Sequence, residues 1–145
     1  MPYLIEVSGT PVAKQRPRGF KDGKGNIRFY TPTASKNFEY LIRERAEKVF
    51  RKPLASPIKL EIYFYMPRPK YLMWKTKPMP CIPHTKRPDL TNFIKGCEDG
   101  LNGVAYIDDA QISELHAFKM YHAGDEGPKT VIVIQEIQSN DESNK

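Results

Sequence analysis

Residues 89–103 read DLTNFIKGCEDGLNG, and this stretch decides which fold the chain can adopt. At about 100° per residue its apolar side chains fall within one arc, which predicts a helix with one core-facing side. That arc contains Leu90, Phe93, Ile94, Cys97 and Leu101. Asp89 is suited to begin the helix as its N-cap, and Gly103 to end it at the C′ position. Such a helix must bury its apolar side against a sheet or another helix.

Upstream of this helix, the sequence predicts a strand, a loop and a first helix. The strand covers 3–7, and a Gly-, Pro- and Arg-rich stretch then runs to about residue 30 as a long loop or a loose hairpin. Thr31 and Pro32 are suited to the N-cap and first position of a helix that ends before Pro53. Its apolar residues recur at helical spacing, namely Phe38, Leu41, Ile42, Ala46, Val49 and Phe50.

Three further strands complete the predicted domain. Residues 58–65 alternate between apolar and polar side chains, and strands are also expected at 110–121 and 130–137. Between them, 66–88 is a proline-rich extended loop, of a length that is usually functional or mobile. The order β-α-β-α-β-β predicts an α+β fold, a single domain with two helices packed on a small mixed sheet. We expect the domain to cover 1–138 and a disordered polar tail to cover 139–145.

Composition limits the class of protein. No window has the roughly 18 uncharged apolar residues of a membrane span, and the N-terminus lacks the features of a signal peptide. Cys81 and Cys97 have no metal-ligand spacing, so we expect reduced cysteines in a cytoplasmic protein. The net charge is +6 with a pI near 9.3, which suits a polyanionic partner such as nucleic acid.

The charges are unevenly distributed along the chain. Residues 14–28 hold six basic residues against one acid, and 66–88 hold six more and no acid. From Asp89 to Glu114 the sign reverses, with six of the 17 acids and a single base, Lys95. A basic protein that gathers its acids directly after a basic loop is suited to binding DNA and cutting it, because phosphodiester hydrolysis uses hard oxygen ligands for Mg²⁺ or Mn²⁺.

Part of this acidic stretch lies on one edge of the predicted helix. Thr91, Lys95, Glu98 and Asn102 form an arc beside the apolar arc, and Asp89 at the helix start can bend toward it. Asp108 and Asp109 directly precede a strand. If that strand pairs near the helix, the carboxylates converge around Lys95, which can stabilise negative charge in the transition state.

Simpler explanations exist for each of these residues. Asp89 alone is most economically an N-cap, and it can be both cap and ligand. Lys95 and Glu98, three residues apart, can form a surface ion pair. Asp108 and Asp109 can be a polar turn. Spacing alone therefore supports a metal site only weakly.

Three segments carry a family resemblance. They are Arg87-Pro88-Asp89-Leu90-Thr91-Asn92-Phe93-Ile94-Lys95, then Asp99-Gly100-Leu101-Asn102-Gly103, and Ile107-Asp108-Asp109-Ala110-Gln111. Together they resemble the RusA family of Holliday junction resolvases, most densely over 86–121. Residues 11–18 and 29–32 resemble members from bacteria and their phages, so the resemblance extends to the whole domain.

The resemblance implies an enzyme and a set of site residues. Members of the RusA family are homodimeric, Mg²⁺-dependent endonucleases that make paired, symmetric nicks in four-way DNA junctions during recombination and repair. Mn²⁺ is expected to substitute, and neither a small-molecule cofactor nor a membrane is expected. By position, Asp89 matches the first catalytic carboxylate, Lys95 the essential lysine, Asp109 the later aspartate, and Asn92 the motif asparagine.

Thr91 departs from the family pattern, because it stands where the family has its second aspartate. Glu98 lies two helical turns later and within about 20° of Thr91 on the helical wheel. We therefore predict that Glu98 replaces the missing aspartate. The predicted catalytic residues are Asp89, Lys95, Glu98 and Asp109, and the predicted metal ligands are Asp89, Glu98, Asp108 and Asp109.

Basic residues near these motifs are the candidates for contacts with DNA, because they pair with phosphates. They are Lys14, Arg16, Arg18, Lys86 and Arg87, together with Asn92. Tyr71 and Trp74 are candidates for stacking on unpaired bases, although Trp74 can instead anchor its loop to the core.

Two other functions remain open from the sequence. The chain can be a catalytically inactive relative that binds branched DNA, which Thr91 favours. It can also be a metal-dependent nuclease of another class that acts on linear or single-stranded substrates.

Overall fold

The computed structural model describes residues 2–15, 18–30, 33–74, 76–124 and 126–138, with the backbone alone for Arg18 and Tyr30. Within these ranges the helices are α1 (Thr33–Val49) and α2 (Leu90–Leu101). The strands are β1 (Tyr3–Ser8), β2 (Arg18–Lys21), β3 (Ile27–Tyr30), β4 (Ile58–Met66), β5 (Ile82–Pro83), β6 (Ile112–Tyr121) and β7 (Lys129–Glu136). The helix start predicted at Thr31 and Pro32, and the tail predicted over 139–145, lie outside the described residues.

Five strands form one mixed sheet in the order β1-β7-β4-β6-β5. β4 and β6 run parallel, and the other neighbouring strands are antiparallel. The alternation over 58–65 has its predicted consequence, because Ile58, Leu60, Ile62 and Phe64 are fully buried in the centre of the sheet. The predicted α+β fold with two helices and a mixed sheet is confirmed. β5 was not predicted, since two residues are too short to show an alternating pattern.

The two helices pack against each other and against one face of the sheet, where the buried side chains form a single core cluster. The rings of Phe64 in β4 and Phe93 in α2 lie 5.2 Å apart and join the sheet to α2. Leu41 and Val49, predicted for the apolar side of α1, each remain 37% exposed. None of the described helices has the length and apolarity needed to cross a membrane.

Two glycines let α2 approach its neighbours closely. A Cβ atom added at Gly100 would lie 2.9 Å from the carbonyl oxygen of Glu39 and 2.9 Å from Cβ of Ile42, both in α1. At Gly96 the nearest atoms belong to Val12 and Lys14 and lie 3.7 Å away. Both glycines are buried. α2 is therefore enclosed by α1 and by the segment that contains Val12 and Lys14 as well as by the sheet, whereas its sequence predicted one buried side.

The loop between β4 and α2 folds around a buried arginine. Nε of Arg68 donates a hydrogen bond to the carbonyl oxygen of Leu72, and Nη1 donates to those of Pro80 and His122. The arginine also lies 5.2 Å from the ring centroid of Trp74. Charge-assisted bonds to three carbonyl groups hold together a loop that has little regular structure, as predicted.

Candidate active site

Asp89 occupies the N-cap position of α2, but its side chain makes no capping hydrogen bond. The carboxylate is exposed, and among the described residues it has no hydrogen-bond or ion-pair partner. The simplest explanation offered by the sequence, that Asp89 serves as a helix cap, therefore does not account for its carboxylate. An unbonded carboxylate at this position is available to a ligand.

Asp89 lies on an open groove of about 930 Å³. One wall is the segment 10–15, and the other is the start of α2, where Thr91 and Asn92 also line the groove. The backbone N–H of Lys14 donates to the carbonyl oxygen of Asn92 at 2.8 Å, which fixes the two walls relative to each other. The groove thus contains the first carboxylate and the threonine that departs from the family pattern.

A second acidic group lies toward the C-terminal end of α2. Burial raises the pKa of Glu98; the nearby Lys95 acts against this, while the carboxylates of Asp109 and Asp99 raise the pKa further. The hydroxyl of the fully buried Tyr106 donates to the carbonyl oxygen of Glu98 at 3.1 Å. Glu98 and Asp109 are therefore close enough for their negative charges to interact.

The adjacent residues Asp108 and Asp109 have different surroundings. The Asp108 side chain accepts a hydrogen bond from the backbone N–H of Ala110, at the start of a short 3-10 helix that covers Asp109–Gln111. Gln111 completes a capping box, because its side-chain oxygen accepts from the N–H groups of Ile107 and Asp108. Asp108 thus shapes the loop, and Asp109 is half-buried beside α2.

Gln111 is a positioning residue that the sequence analysis missed. Its side-chain nitrogen donates to the carbonyl oxygens of Leu54 and Ser56, both at 2.9 Å, so the glutamine ties the loop to the segment before β4. The spacing Asp108-x-x-Gln111 matches a capping box and was the signal that could have revealed this role.

A network of ion pairs runs along the other side of α2. The ammonium group of Lys14 lies 2.7 Å from Glu39 and 3.3 Å from Asp99. Lys95 pairs with Asp99 at 3.5 Å, rather than with Glu98 as the spacing allowed. Lys14, a predicted phosphate contact, is thus held between two carboxylates, and its role at DNA stays a prediction.

The predicted ligands do not form one compact cluster. Among the described residues, no three His, Cys, Asp or Glu side chains form a group that could hold a metal ion. Asp89 and Glu98 are nine residues apart, which is about 13 Å of helix rise. Ligands of one Mg²⁺ must each reach within about 2.1 Å of the ion. Asp89 and Glu98 therefore do not reach the same ion in this structure.

The donor atoms nevertheless suit a hard cation. Glu98 and Asp109 offer anionic oxygens that repel each other, and a divalent ion between them would relieve that repulsion. Mg²⁺ in nucleases is commonly bound by one or two carboxylates, with water and substrate phosphate as further ligands. Glu98 and Asp109 supply that number of carboxylates.

Basic residues surround the start of α2. Lys86 and Arg87 are exposed, as a phosphate contact requires, whereas Arg16 and the side chain of Arg18 lie outside the described structure. Lys119 in β6, which the sequence analysis did not select, donates to the carbonyl oxygens of Lys86 and Pro88, both at 2.7 Å. This lysine fixes the turn that presents Asp89.

Trp74 is held within its loop. Its indole N–H donates to the carbonyl oxygen of Tyr71, and Lys77 lies 4.2 Å from its ring centroid, on a ring that also contacts Arg68. These contacts favour the anchoring interpretation over base stacking. Tyr71 remains 67% exposed.

Comparison with known proteins finds a family match and two similar proteins. Residues 8–135 match the family described as "Endodeoxyribonuclease RusA". The chain is 31% identical over 144 residues to the uncharacterized protein YqaN of Bacillus subtilis (strain 168), covering 92% of this chain and 95% of that one. It is also 31% identical over 140 residues to the crossover junction endodeoxyribonuclease rusA of Lactococcus phage r1t, covering 93% and 97%.

Proposed function

Because the chain belongs to the RusA family and is an endodeoxyribonuclease, we propose that it resolves Holliday junctions by Mg²⁺-dependent, paired symmetric nicks. The observation that carries the proposal is the family match over 8–135, joined to a relative named for crossover junctions. Mn²⁺ is proposed to substitute for Mg²⁺. The cytoplasm is the proposed location, and four-way branched DNA the substrate.

Asp89, Glu98 and Asp109 are the proposed metal ligands. Glu98 and Asp109 are proposed to share an ion, because their charges interact, whereas Asp89 lies too far along the helix from Glu98 to bind that ion. Glu98 is proposed to supply, beside Asp109, the carboxylate that Thr91 lacks. For Asp108, the fourth predicted ligand, the capping bond to Ala110 supports a role in holding Asp109 in place.

The side chains have separate tasks in cleavage. When bound, Mg²⁺ supplies Lewis-acid stabilisation of the negative charge on the reacting phosphate. Lys95, whose side chain is 54% exposed and whose ammonium group lies 3.5 Å from Asp99, is proposed to stabilise the same charge from the protein side. Lys14, Arg16, Arg18, Lys86, Arg87 and Asn92 are proposed to hold the DNA.

A homodimer is proposed as the active form. A four-way junction has two equivalent strands to cut, and two matched nicks are most simply made by an enzyme with two-fold symmetry. A plasmid with an extruded cruciform tests this directly, because paired nicks give a linear product and independent nicks give a relaxed circle first. Accumulation of relaxed circles would contradict pairing.

The central experiment compares cleavage of a synthetic four-way junction, a linear duplex and a single strand, each with Mg²⁺, with Mn²⁺ and with a chelator. We expect metal-dependent nicks in the junction alone. Tight junction binding without cleavage under any metal would instead support the inactive, DNA-binding alternative. Equal cutting of all substrates would support a nuclease of another class.

A further inference from the structure

The hairpin formed by β2 and β3, residues 18–30, stands apart from the main sheet. Its two strands pair with each other and, within the described part of the chain, with no other strand. The hairpin follows the groove wall directly, since Arg18 is three residues beyond Gln15. At no more than about 3.5 Å per residue, the hairpin begins within roughly 10 Å of the groove that contains Asp89.

The turn of this hairpin is held by one carboxylate. Asp22 accepts hydrogen bonds from the backbone N–H groups of Lys24 and Asn26, and from Nε of Arg28 at 2.9 Å. Gly25 takes a positive φ of 82°, which a turn this tight requires. The bond from Arg28, with the two backbone bonds, lowers the pKa of Asp22, so the bonded carboxylate stays charged at neutral pH. The hairpin is therefore a preorganised arm.

One face of the arm combines apolar and cationic side chains. In the strand register, Gly19 lies opposite Phe29, and Lys21 opposite Ile27, so these four positions share a face. The Phe29 ring packs over Gly19, where a Cβ would lie 3.2 Å from its edge. Phe29 is nevertheless 70% exposed and Ile27 is 65% exposed. An apolar pair this open on a soluble arm requires an explanation.

The charge of the arm favours DNA over a protein as its partner. Residues 18–30 contain four basic residues and one acid. Protein interfaces are depleted of lysine in their centres and bury about 800 Å² on each partner, far more than two side chains supply. Nucleic-acid surfaces, in contrast, combine cations for phosphates with aromatic rings for bases.

We propose that this hairpin is a DNA-binding arm that recognises the branch point. Lys21 and Lys24 contact phosphates, while Phe29, supported by Ile27, stacks on bases exposed where the arms of the junction meet. The proposal rests on the proposed function, because it assumes branched DNA as the substrate. It assigns a specificity-determining role to residues outside the acidic site.

Binding measured in a chelator separates this proposal from catalysis. The probe is a fluorescent four-way junction, with a linear duplex of matched sequence, titrated at several salt concentrations. Lys21→Ala with Lys24→Ala should lower the slope of log affinity against log salt by about 2, since each phosphate contact contributes about 0.9. Lys48→Ala with Lys52→Ala removes the same charge from the C-terminal end of α1 and the segment just after it, and should leave the slope unchanged.

Two further variants test shape and stacking. Phe29→Ala should weaken junction binding about tenfold and duplex binding little, and Phe29→Trp should restore it. Asp22→Ala makes the arm more positive but removes the acceptor of all three hydrogen bonds that hold its turn. If the arm acted through its net charge alone, this variant would bind the junction more tightly. If binding depends on the preorganised shape of the hairpin, the variant should bind the junction more weakly.

The outcomes distinguish the arm from the enzyme. If the parent cleaves junctions and the arm variants bind DNA as tightly as the parent, the DNA-binding role of the hairpin is wrong and the proposed function stands. If the parent fails to cleave, the proposed function is wrong, and the binding assay still tests whether the hairpin binds branched DNA. A Phe29→Ala variant that changes mass in light scattering, with DNA binding unaltered, would assign the face to a second copy of this chain.

Discussion

The acidic residues at the two ends of α2 differ in their exposure and in the charges around them. At the N-terminal end, Asp89 is exposed, makes no capping bond and faces an open groove. At the C-terminal end, Glu98 is half-buried beside Asp109 and Asp99, and its pKa is raised by burial and by those carboxylates. The first end is accessible to a DNA backbone, and the second concentrates negative charge. The helix therefore joins a substrate-facing carboxylate to a pair suited to a cation.

The sharpest test of this comparison is Asp109→Asn. We expect a fall of about a thousandfold in junction cleavage, because a proposed metal ligand beside Glu98 loses its charge. The rate is measured in single-turnover nicking at saturating protein. Asp108→Asn is the matched control, since asparagine also caps helices and should keep the rate within about threefold. Equal losses of cleavage rate in the two variants would show that Asp108 is also a metal ligand.

The opposite end of the helix is tested by Asp89→Asn. We expect cleavage to fall about a hundredfold while junction binding stays the same or tightens, because a charge that repels phosphate is removed. Binding is followed by fluorescence anisotropy in a chelator. Glu47→Gln, which changes an exposed carboxylate of α1, provides the control for charge alone. Loss of binding together with cleavage would contradict a metal-binding role for Asp89.

The packing of the C-terminal half of α2 is tested by Gly100→Ala. A methyl group there meets the backbone and side chain of α1 at 2.9 Å, so we expect a loss of about 1–3 kcal/mol in the free energy of unfolding. Gly96→Ala is the control, because its nearest contacts are ordinary and alanine favours the helix. Urea denaturation measures both. Equal stability of the two variants would contradict the close approach of α1 to α2.

Most of the fold was accessible from local sequence pattern, and the arrangement of the site was not. The alternation over Ile58–Met66 and the helical repeat over Leu90–Leu101 are local, so the sequence predicts both elements correctly. The burial of Gly100 depends on where α1 lies, and that of Gly96 on the segment that contains Val12 and Lys14, which no local repeat encodes. The short strand β5 exists only because β6 pairs with it.

The site residues illustrate the same limit. Helical spacing correctly put Glu98 on one edge of α2, but it left open whether Lys95 would pair with Glu98 or Asp99. The contact of Lys14 with Glu39 and Asp99 joins residues far apart in the chain. Asp108 caps the short helix and Asp109 is half-buried, and this difference depends on the side chain of Gln111, which donates to the carbonyl oxygens of Leu54 and Ser56.

Whether Glu98 compensates for Thr91 is tested by Glu98→Gln. We expect the Mg²⁺ concentration for half-maximal cleavage to rise about tenfold, because cation affinity depends on the number of charged ligands. Adding Thr91→Asp should leave this value raised, because position 91 lies about 10 Å of helix rise from Glu98 and its carboxylate does not reach the ion that Glu98 binds. Unaltered cleavage in Glu98→Gln would end the hypothesis. Recovery of the parent value in the double variant would show instead that positions 91 and 98 serve the same ion.

The smallest expected effect concerns the ion pairs beside the helix. Burial opposes the charge on Lys14, but its hydrogen bonds to Glu39 and Asp99 outweigh this and raise the pKa of the ammonium group above its ordinary 10.5. A raised pKa in the folded state means that the pairs stabilise the protein below pH 10.5. That contribution is then lost as the pH rises through the folded-state value.

We therefore expect Lys14→Met to lower the free energy of unfolding by about 0.5–1 kcal/mol at pH 7, and the difference from the parent to shrink above pH 10.5. Urea denaturation across this pH range measures the difference. Lys48→Met, which removes an exposed pair with Glu44 at 3.9 Å, should have almost no effect at either pH. A loss in Lys14→Met that persists in full at high pH would assign the role of Lys14 to packing of its aliphatic chain rather than to its charge.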